Sequence, residues 1–212
     1  MKTAIVIGST GLIGSELVQQ LLGNSNYSKV LLLNRRAGGV THSKLTEHII
    51  NFDAPDLSAV NGEDLYCAIG TTIRKAGSKE AQYKIDCEYP STLAALLKPQ
   101  GVKQILLVSS IGADETASNF YLKTKGQLEK NIRDLDFEST IIVRPSILLG
   151  KRKEFRLGEK IAIVLMQLLS PLMLGSFKKY RGVQAAKVAA KMIASANSGL
   201  KGLQIIESDK IN

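Results

Sequence analysis

A tyrosine and a lysine lie one helical turn apart in the segment YLKTK at residues 121–125. At this spacing Tyr121 and Lys125 share one helix face, where the ammonium group stabilises the ionised phenol. A phenol in that setting is a workable general acid or base for a carbonyl or alcohol oxygen. Ser109 and Ser110 end the preceding apolar run, and a serine there can hydrogen-bond the same oxygen. Because this Tyr–Lys spacing is also typical of exposed surface pairs, the prediction of an acid–base site depends on the rest of the chain.

A glycine-rich turn, GSTGLIG, occupies residues 8–14 between an apolar run and a segment of helical spacing. In this GxxGxxG pattern Gly8 lets the chain leave a strand, Gly11 lets backbone amides approach a pyrophosphate, and Gly14 lets the helix pack closely. The helix N-terminus adds unpaired N–H groups and a positive dipole end. The pattern predicts a dinucleotide site, and a purely structural tight turn is the alternative. The residues expected to contact the dinucleotide here are Gly8, Ser9, Thr10, Gly11, Leu12, Ile13 and Gly14.

The residues after the next strands indicate which dinucleotide binds. Segment 33–36 reads LNRR, with no acid to hold the ribose hydroxyls of NAD. Arg35 and Arg36 suit a 2′-phosphate, so we predict NADP, with NAD as the alternative cofactor and a solvated basic loop as the alternative interpretation. Asp53, after the third run, is expected to hydrogen-bond the adenine amino group or to form an Asx turn. Gly70 and Thr71, after the fourth run, are expected beside the same dinucleotide.

The elements that must position these residues follow from periodicity. Apolar, β-rich runs occupy residues 4–7, 30–33, 48–52, 65–69, 104–108, 140–143 and 203–206. Segments of helical spacing occupy residues 12–22, 81–97, 120–135 and 183–196. Continuous apolar strands that alternate with helices indicate a parallel sheet covered on both faces. We therefore predict an α/β, Rossmann-type, doubly wound, mainly parallel seven-stranded sheet with helices on both faces, and ligands beyond the carboxyl ends of its strands.

The length of 212 residues favours one domain over residues 1–212. Residues 151–182 depart from the alternation and are interpreted as an insertion that covers the substrate or binds a partner. They include an apolar stretch at 161–174, which is too short to span a membrane and is interrupted by Pro171. A buried helix is favoured over peripheral membrane contact.

The amino-acid composition restricts the kinds of ligand and macromolecule that the protein is expected to bind. The net charge is +9, but the basic residues are scattered and no aromatic residues are interleaved with them, which favours an anionic dinucleotide over nucleic acid. Cys67 and Cys87 have no CxxC or His neighbour and are predicted to be reduced, buried thiols. His42 and His48 lie apart from acids, so no metal site is predicted. Because the first apolar run begins at Ala4, with no targeting segment before it, we expect a cytosolic protein.

Taken together, these motifs resemble the short-chain dehydrogenase/reductase superfamily in its atypical branch, and are most similar to the Tat-interactive-protein-like oxidoreductases. The resemblance covers essentially the whole chain and is carried by GSTGLIG, CAIGTT at 67–72, LVSSIGAD at 107–114, NFYLKTKGQLE at 119–129 and RPSILLGKRKEFRLGE at 144–159. It implies that Tyr121 is the catalytic acid/base and that Lys125 binds the nicotinamide ribose and adjusts the pKa of Tyr121. Ser110 would be the third catalytic residue, with Ser109 as the alternative. The further NADP contacts that the resemblance implies are Thr10, Arg35, Ile69, Gly70, Leu148 and Arg156.

The leading functional hypothesis is an NADP-dependent oxidoreductase that transfers a hydride between nicotinamide and a carbonyl or alcohol substrate with hydrophobic surface. A second hypothesis is an NADPH-binding, redox-sensing regulator that acts through protein partners. The third is an epimerase or isomerase that uses a bound cofactor transiently. The short region after the sixth strand leaves little room for a nucleotide-sugar domain and counts against the third.

Overall fold

The computed structural model describes residues 1–150 and 180–211. Its strands are β1 (Lys2–Ile7), β2 (Tyr27–Asn34), β3 (Leu45–Ile49), β4 (Asp64–Cys67), β5 (Gln104–Val108), β6 (Ser139–Arg144), β7 (Leu148–Leu149), β8 (Val183–Gln184) and β9 (Gly202–Glu207). Its α-helices are α1 (Leu12–Leu22), α2 (Ile73–Ala76), α3 (Lys79–Tyr83), α4 (Tyr89–Leu97), α5 (Phe120–Asp134) and α6 (Ala185–Ala196). A π-helical turn covers Lys84–Glu88, and short 3₁₀ turns cover Lys98–Gln100 and Ser208–Lys210.

Seven strands form one parallel sheet in the order β3-β2-β1-β4-β5-β6-β9. The order reverses between β1 and β4, so the predicted doubly wound Rossmann-type sheet is confirmed. The register aligns Ile7 of β1 with Cys67 of β4, and Cys67 with Leu107 of β5. The loops after these three strands therefore meet at one edge of the sheet.

Alternate residues of the central strands pack into cores on the two faces of the sheet. Val6 contributes to a core with Leu17 of α1 and Val188 of α6, whereas Ile5 contributes to a core with Leu93 of α4. Because successive side chains of a strand point to opposite faces, both sets of residues must be apolar. This two-sided burial explains the continuous apolar runs in the sequence.

Several predicted boundaries were displaced, and three of the differences have a clear structural cause. The third strand spans Leu45–Ile49 instead of 48–52, because it is an edge strand whose partly exposed side chains give no apolar run. The last predicted helix begins at Ala185, since Val183 and Gln184 pair with β7. The single helix predicted over 81–97 is interrupted by the π turn. Pro90 lacks an N–H for the ordinary bond to residue 86, and the Tyr89 N–H bonds instead to the Lys84 carbonyl.

Part of the predicted insertion and one predicted site residue lie outside the described residues. These are residues 151–179, with the apolar stretch at 161–174, and Arg156. The single domain and the covering role of residues 151–182 therefore stay predictions. Within 1–150 and 180–211, no helix combines the length and apolar character needed to cross a bilayer.

Candidate active site

The glycine turn is tightly packed against the loop after β4. Gly8 has φ of +83°, and a Cβ on it would lie 2.7 Å from the backbone of Ala68. A Cβ on Gly14 would clash with the Gly8 carbonyl oxygen, so α1 begins directly on the turn. No side chain caps α1 at Gly11, and its first turn carries no acid. These features fit an anion such as a pyrophosphate at the helix N-terminus.

The basic loop after β2 is connected to the glycine turn through buried side chains. Ser9 Oγ donates a hydrogen bond of 2.7 Å to the Asn34 amide oxygen at the end of β2. The Asn34 amide nitrogen donates in turn to Glu47 of β3 at 2.5 Å. Arg35 and Arg36 follow directly and are both exposed. Arg35 and Arg36 therefore follow, by one and two residues, a side chain that contacts the predicted phosphate turn.

Asp53 lies beside the basic loop with two polar partners. It accepts hydrogen bonds from the Tyr89 hydroxyl at 2.8 Å and from Lys84 Nζ at 2.6 Å. The hydrogen bonds from Lys84 and then Tyr89 lower the pKa of Asp53, and the charge of Arg35 contributes in the same direction. The Asx turn expected at Asp53 is formed instead by Asn51, whose side-chain oxygen accepts from the Asp53 N–H. Asp53 is thus an exposed carboxylate held by Tyr89 and Lys84.

Lys125 is buried at the start of α5 and faces two acidic groups. Its Nζ lies 3.3 Å from Asp86 and 5.9 Å from the centre of the Tyr121 ring. Burial alone would lower the pKa of Lys125, but the Asp86 carboxylate and then Tyr121 outweigh it, and the pKa is raised. Tyr121 is 39% exposed, so its phenol is accessible at the edge where the strands end. The structure therefore brings the predicted Tyr–Lys pair together with the ammonium charged.

Asp86 is a site residue for which the sequence offered no spacing argument. It is fully buried on the π turn, and its second oxygen accepts the Thr71 N–H at 2.6 Å. A Cβ on Gly70 would lie 3.7 Å from both Asp86 and Lys125 Nζ. Asp86 thus joins the loop after β4 to the lysine of α5. Because Lys84 and Glu88 lie close to it in the same segment, no local pattern in the sequence singled out Asp86.

The two candidate serines have different partners. Ser109 is buried and donates a 2.6 Å hydrogen bond to Glu129 of α5. Glu129 also accepts two hydrogen bonds from Arg144, and these bonds raise the pKa of Arg144. Ser110 Oγ instead donates to the neighbouring Ile111 carbonyl at 3.3 Å, a contact that is long for a hydroxyl. Glu129 and Arg144 are further residues that sequence reasoning missed.

The remaining predicted contacts lie along the same edge. Ile69 follows Ala68 at the glycine turn and packs against the core of the α4 face. Leu148 lies on β7, and a Cβ on the nearby Gly150 would lie 2.8 Å from the Leu12 side chain. The segment after β6 thus contacts the first residue of α1.

The two cysteines are buried within the sheet and the helix packed on it. Cys67 and Cys87 are both free and buried, as predicted, and burial raises the pKa of Cys67 to about 11. Across the part of the chain that the structure describes, no cluster of three or more His, Cys, Asp or Glu residues could hold a metal ion.

Sequence comparisons place the chain among dinucleotide-binding proteins. A family described as NAD(P)H-binding matches residues 8–164. The rat protein HTATIP2 is 34% identical over 167 residues, covering 76% of this chain and 69% of the rat protein. Protein FMP52, mitochondrial, of Coccidioides immitis is 33% identical over 219 residues, covering 96% and 89%. The protein of the same name from Eremothecium gossypii is 32% identical, covering 98% and 95%.

Solved structures share the fold at low sequence identity. MoeE5 in complex with UDP-glucose and NAD matches with a TM-score of 0.73 and 14% identity, covering 99% of this chain and 79% of MoeE5. A UDP-N-acetylglucosamine 4-epimerase from Methanobrevibacter ruminantium matches with a TM-score of 0.70 and 15% identity, covering 97% and 76%. At this identity the similarity concerns the fold.

The expectation of a cytosolic protein is contradicted. Several of the fungal relatives carry the word mitochondrial in their names, including those of Coccidioides immitis, Aspergillus niger and Candida glabrata. The expectation depended on the absence of a visible targeting segment before the first strand, and such an absence carries little information about location.

The family match and the glycine turn agree on the cofactor, which is NAD(P). The chain therefore belongs to the NAD(P)H-binding family, among the atypical short-chain dehydrogenases/reductases of the Tat-interactive-protein-like type.

Proposed function

We propose that this protein is an NADP-dependent oxidoreductase that interconverts a carbonyl and an alcohol, with Tyr121, Lys125 and Ser110 as its catalytic residues. The observation that carries the proposal is the buried Lys125 ammonium. It is paired with Asp86 and faces the accessible Tyr121 ring. These groups lie at the sheet edge where the loops after β1, β4 and β5 meet. A charged lysine beside a phenol at a dinucleotide site is suited to proton transfer.

The chemistry divides between the cofactor and the side chains. A nicotinamide bound at this edge would supply or accept the hydride. During reduction the Tyr121 hydroxyl gives its proton to the carbonyl oxygen, and during oxidation the Tyr121 phenolate takes the proton from the alcohol. Lys125 stabilises the phenolate, since Asp86 keeps its ammonium charged. Ser110 donates a hydrogen bond to the same oxygen, where negative charge develops.

The cofactor would extend along the carboxyl edge of the sheet. Residues 8–14 would hold the pyrophosphate, and Arg35 and Arg36 would bind the 2′-phosphate. Gly70 and Thr71 would lie at the nicotinamide end, beside Asp86. Asp53, which is exposed, would meet the adenine amino group. Ile69, Leu12, Leu148 and Arg156 are proposed as further contacts.

A titration followed by a substrate screen tests this proposal. Calorimetry is expected to give a Kd for NADPH at least about tenfold below that for NADH, because a hydrogen bond to a charged group is worth about 1.5–3 kcal/mol. Carbonyl compounds with hydrophobic surface are then screened through the cofactor absorbance. No heat with either nucleotide would contradict the dinucleotide site. Tight NADPH binding without turnover of any carbonyl would favour the sensing hypothesis over the enzyme.

The roles of the two serines are distinguished by comparing the variants Ser110→Ala and Ser109→Ala. Ser110→Ala is expected to lower kcat/KM by about 100-fold, the cost of removing one donor to a developing oxyanion, with stability unchanged. Ser109→Ala is expected to lower the free energy of unfolding by about 1–3 kcal/mol, since Glu129 loses a buried donor, with little change in rate. Steady-state kinetics and urea unfolding measure both quantities. The reverse pattern would identify Ser109 as the third catalytic residue.

A further inference from the structure

One carboxylate fixes the loop that carries Arg35 and Arg36. Glu47 lies on β3, opposite Leu32 of β2. Its Oε1 accepts a hydrogen bond from the Asn34 side-chain amide at 2.5 Å and another from the Gly38 backbone N–H at 2.8 Å. The contacts lie on either side of the arginine pair, at the last residue of β2 and four residues farther on. Glu47 therefore closes the loop at both ends.

The same contacts fix the loop relative to the glycine turn. Asn34 and Ser9 are each only 6% exposed, and Ser9 Oγ donates to the Asn34 amide oxygen. Both polar ends of the Asn34 side chain are thus occupied, one by the phosphate turn and one by Glu47. A Cβ on Gly38 would lie 3.8 Å from the Thr10 side chain. The basic loop is therefore folded back against the turn expected to bind the pyrophosphate.

We propose that Glu47 is a positioning residue that sets the preference of this protein for NADP over NAD. It acts through Asn34 and Gly38, which hold the two arginines at a fixed distance from the pyrophosphate turn. A loop ordered in advance loses less conformational freedom when the 2′-phosphate binds, so preorganisation strengthens NADPH binding selectively. NADH lacks that phosphate and gains nothing from the ordered arginines. The inference depends on the NADP preference proposed above.

The negative charge of Glu47 and its hydrogen bonds are expected to have opposite effects on the affinity for NADPH. A carboxylate near a bound phosphate repels it, so a purely electrostatic role would make NADPH bind more tightly once the charge is removed. Glu47→Gln separates the two effects, because the amide keeps an acceptor oxygen for Asn34 and Gly38 but carries no charge. Glu47→Ala removes both the charge and the acceptor.

Calorimetric titration of the wild type and of both variants with NADPH and NADH tests the proposal. Glu47→Ala is expected to weaken NADPH binding about tenfold and to leave NADH binding within about twofold. Glu47→Gln is expected to keep the wild-type preference or to increase it slightly. Hydrogen exchange of the Gly38 amide provides a second readout without cofactor, and it should accelerate in Glu47→Ala but not in Glu47→Gln.

Glu63→Ala is the matched control. Glu63 also accepts a backbone N–H, that of Thr3 at 2.7 Å, but at the amino-terminal end of the sheet, so its loss should leave the cofactor preference unchanged. An unchanged NADPH/NADH ratio in Glu47→Ala, or tighter NADPH binding, would overturn the role of Glu47 alone. Equal affinities in the wild type would overturn the proposed NADP preference itself, and the role of Glu47 with it.

Discussion

Replacement of Tyr121 with Phe is expected to lower the rate of carbonyl reduction by about 100- to 10,000-fold, the usual contribution of a positioned general acid. The phenylalanine keeps the ring that faces Lys125 but has no proton to give to the substrate oxygen. NADPH affinity should change little, since Tyr121 is exposed and the phosphate contacts lie elsewhere. Steady-state kinetics with a substrate from the screen, combined with calorimetry, measure both quantities.

Tyr89→Phe provides the control for this variant. Tyr89 lies on the Asp53 side, where its hydroxyl donates to the Asp53 carboxylate. Its replacement should affect cofactor affinity more than the rate. Full turnover in Tyr121→Phe would show that another group moves the proton, and the proposed mechanism would be wrong.

Lys125→Met is expected to lower the free energy of unfolding by about 3–5 kcal/mol, in addition to abolishing turnover. The loss of stability arises from Asp86, which is left unpaired, rather than from the lysine itself. The Asp86 and Lys125 side chains are 1% and 4% exposed, so methionine would leave a buried carboxylate without a counter-charge. Urea unfolding at neutral pH gives the loss directly, because the raised pKa of Lys125 keeps this ion pair intact until the pH rises above the ordinary lysine value.

The double variant Lys125→Met/Asp86→Asn tests that explanation. Removal of the unpaired Asp86 charge should restore much of the lost stability, although turnover stays absent. Asp86→Asn alone should be destabilised too, since Lys125 would then be the unpaired group. If the two single losses simply add in the double variant, the two groups do not act as a pair.

The sequence predicted the features that depend on local patterns. The glycine turn at 8–14 and the central strands were found because tight turns and two-sided burial leave periodic signatures. Tyr121 and Lys125 were found because one helical turn separates them. The edge strand β3 was misplaced because its side chains are partly exposed and give no such pattern.

The contacts that tune the site were harder to find because they join residues distant in sequence. Asp86 meets Lys125 through the packing of the π turn on α5, and Glu129 meets Arg144 across separate elements. The periodicity of one segment gives no information about the charged residue that a distant segment places beside it. The choice between Ser109 and Ser110 has the same origin, because it depends on which hydroxyl faces Glu129.

The π turn at Lys84–Glu88 restricts the number of residues that the chain can have at this point. This turn presents Lys84 to Asp53 on the adenine side and Asp86 to Lys125 on the acid–base side. An α-helix advances about 100° per residue, so the deletion of one residue here would rotate everything on one side of the cut by that angle. Removal of Ile85, which separates the two residues, would turn Lys84 and Asp86 relative to each other and break one of the two ion pairs. Homologous chains that keep both pairs should therefore tolerate substitutions at this position more readily than a change in the number of residues between Lys84 and Asp86.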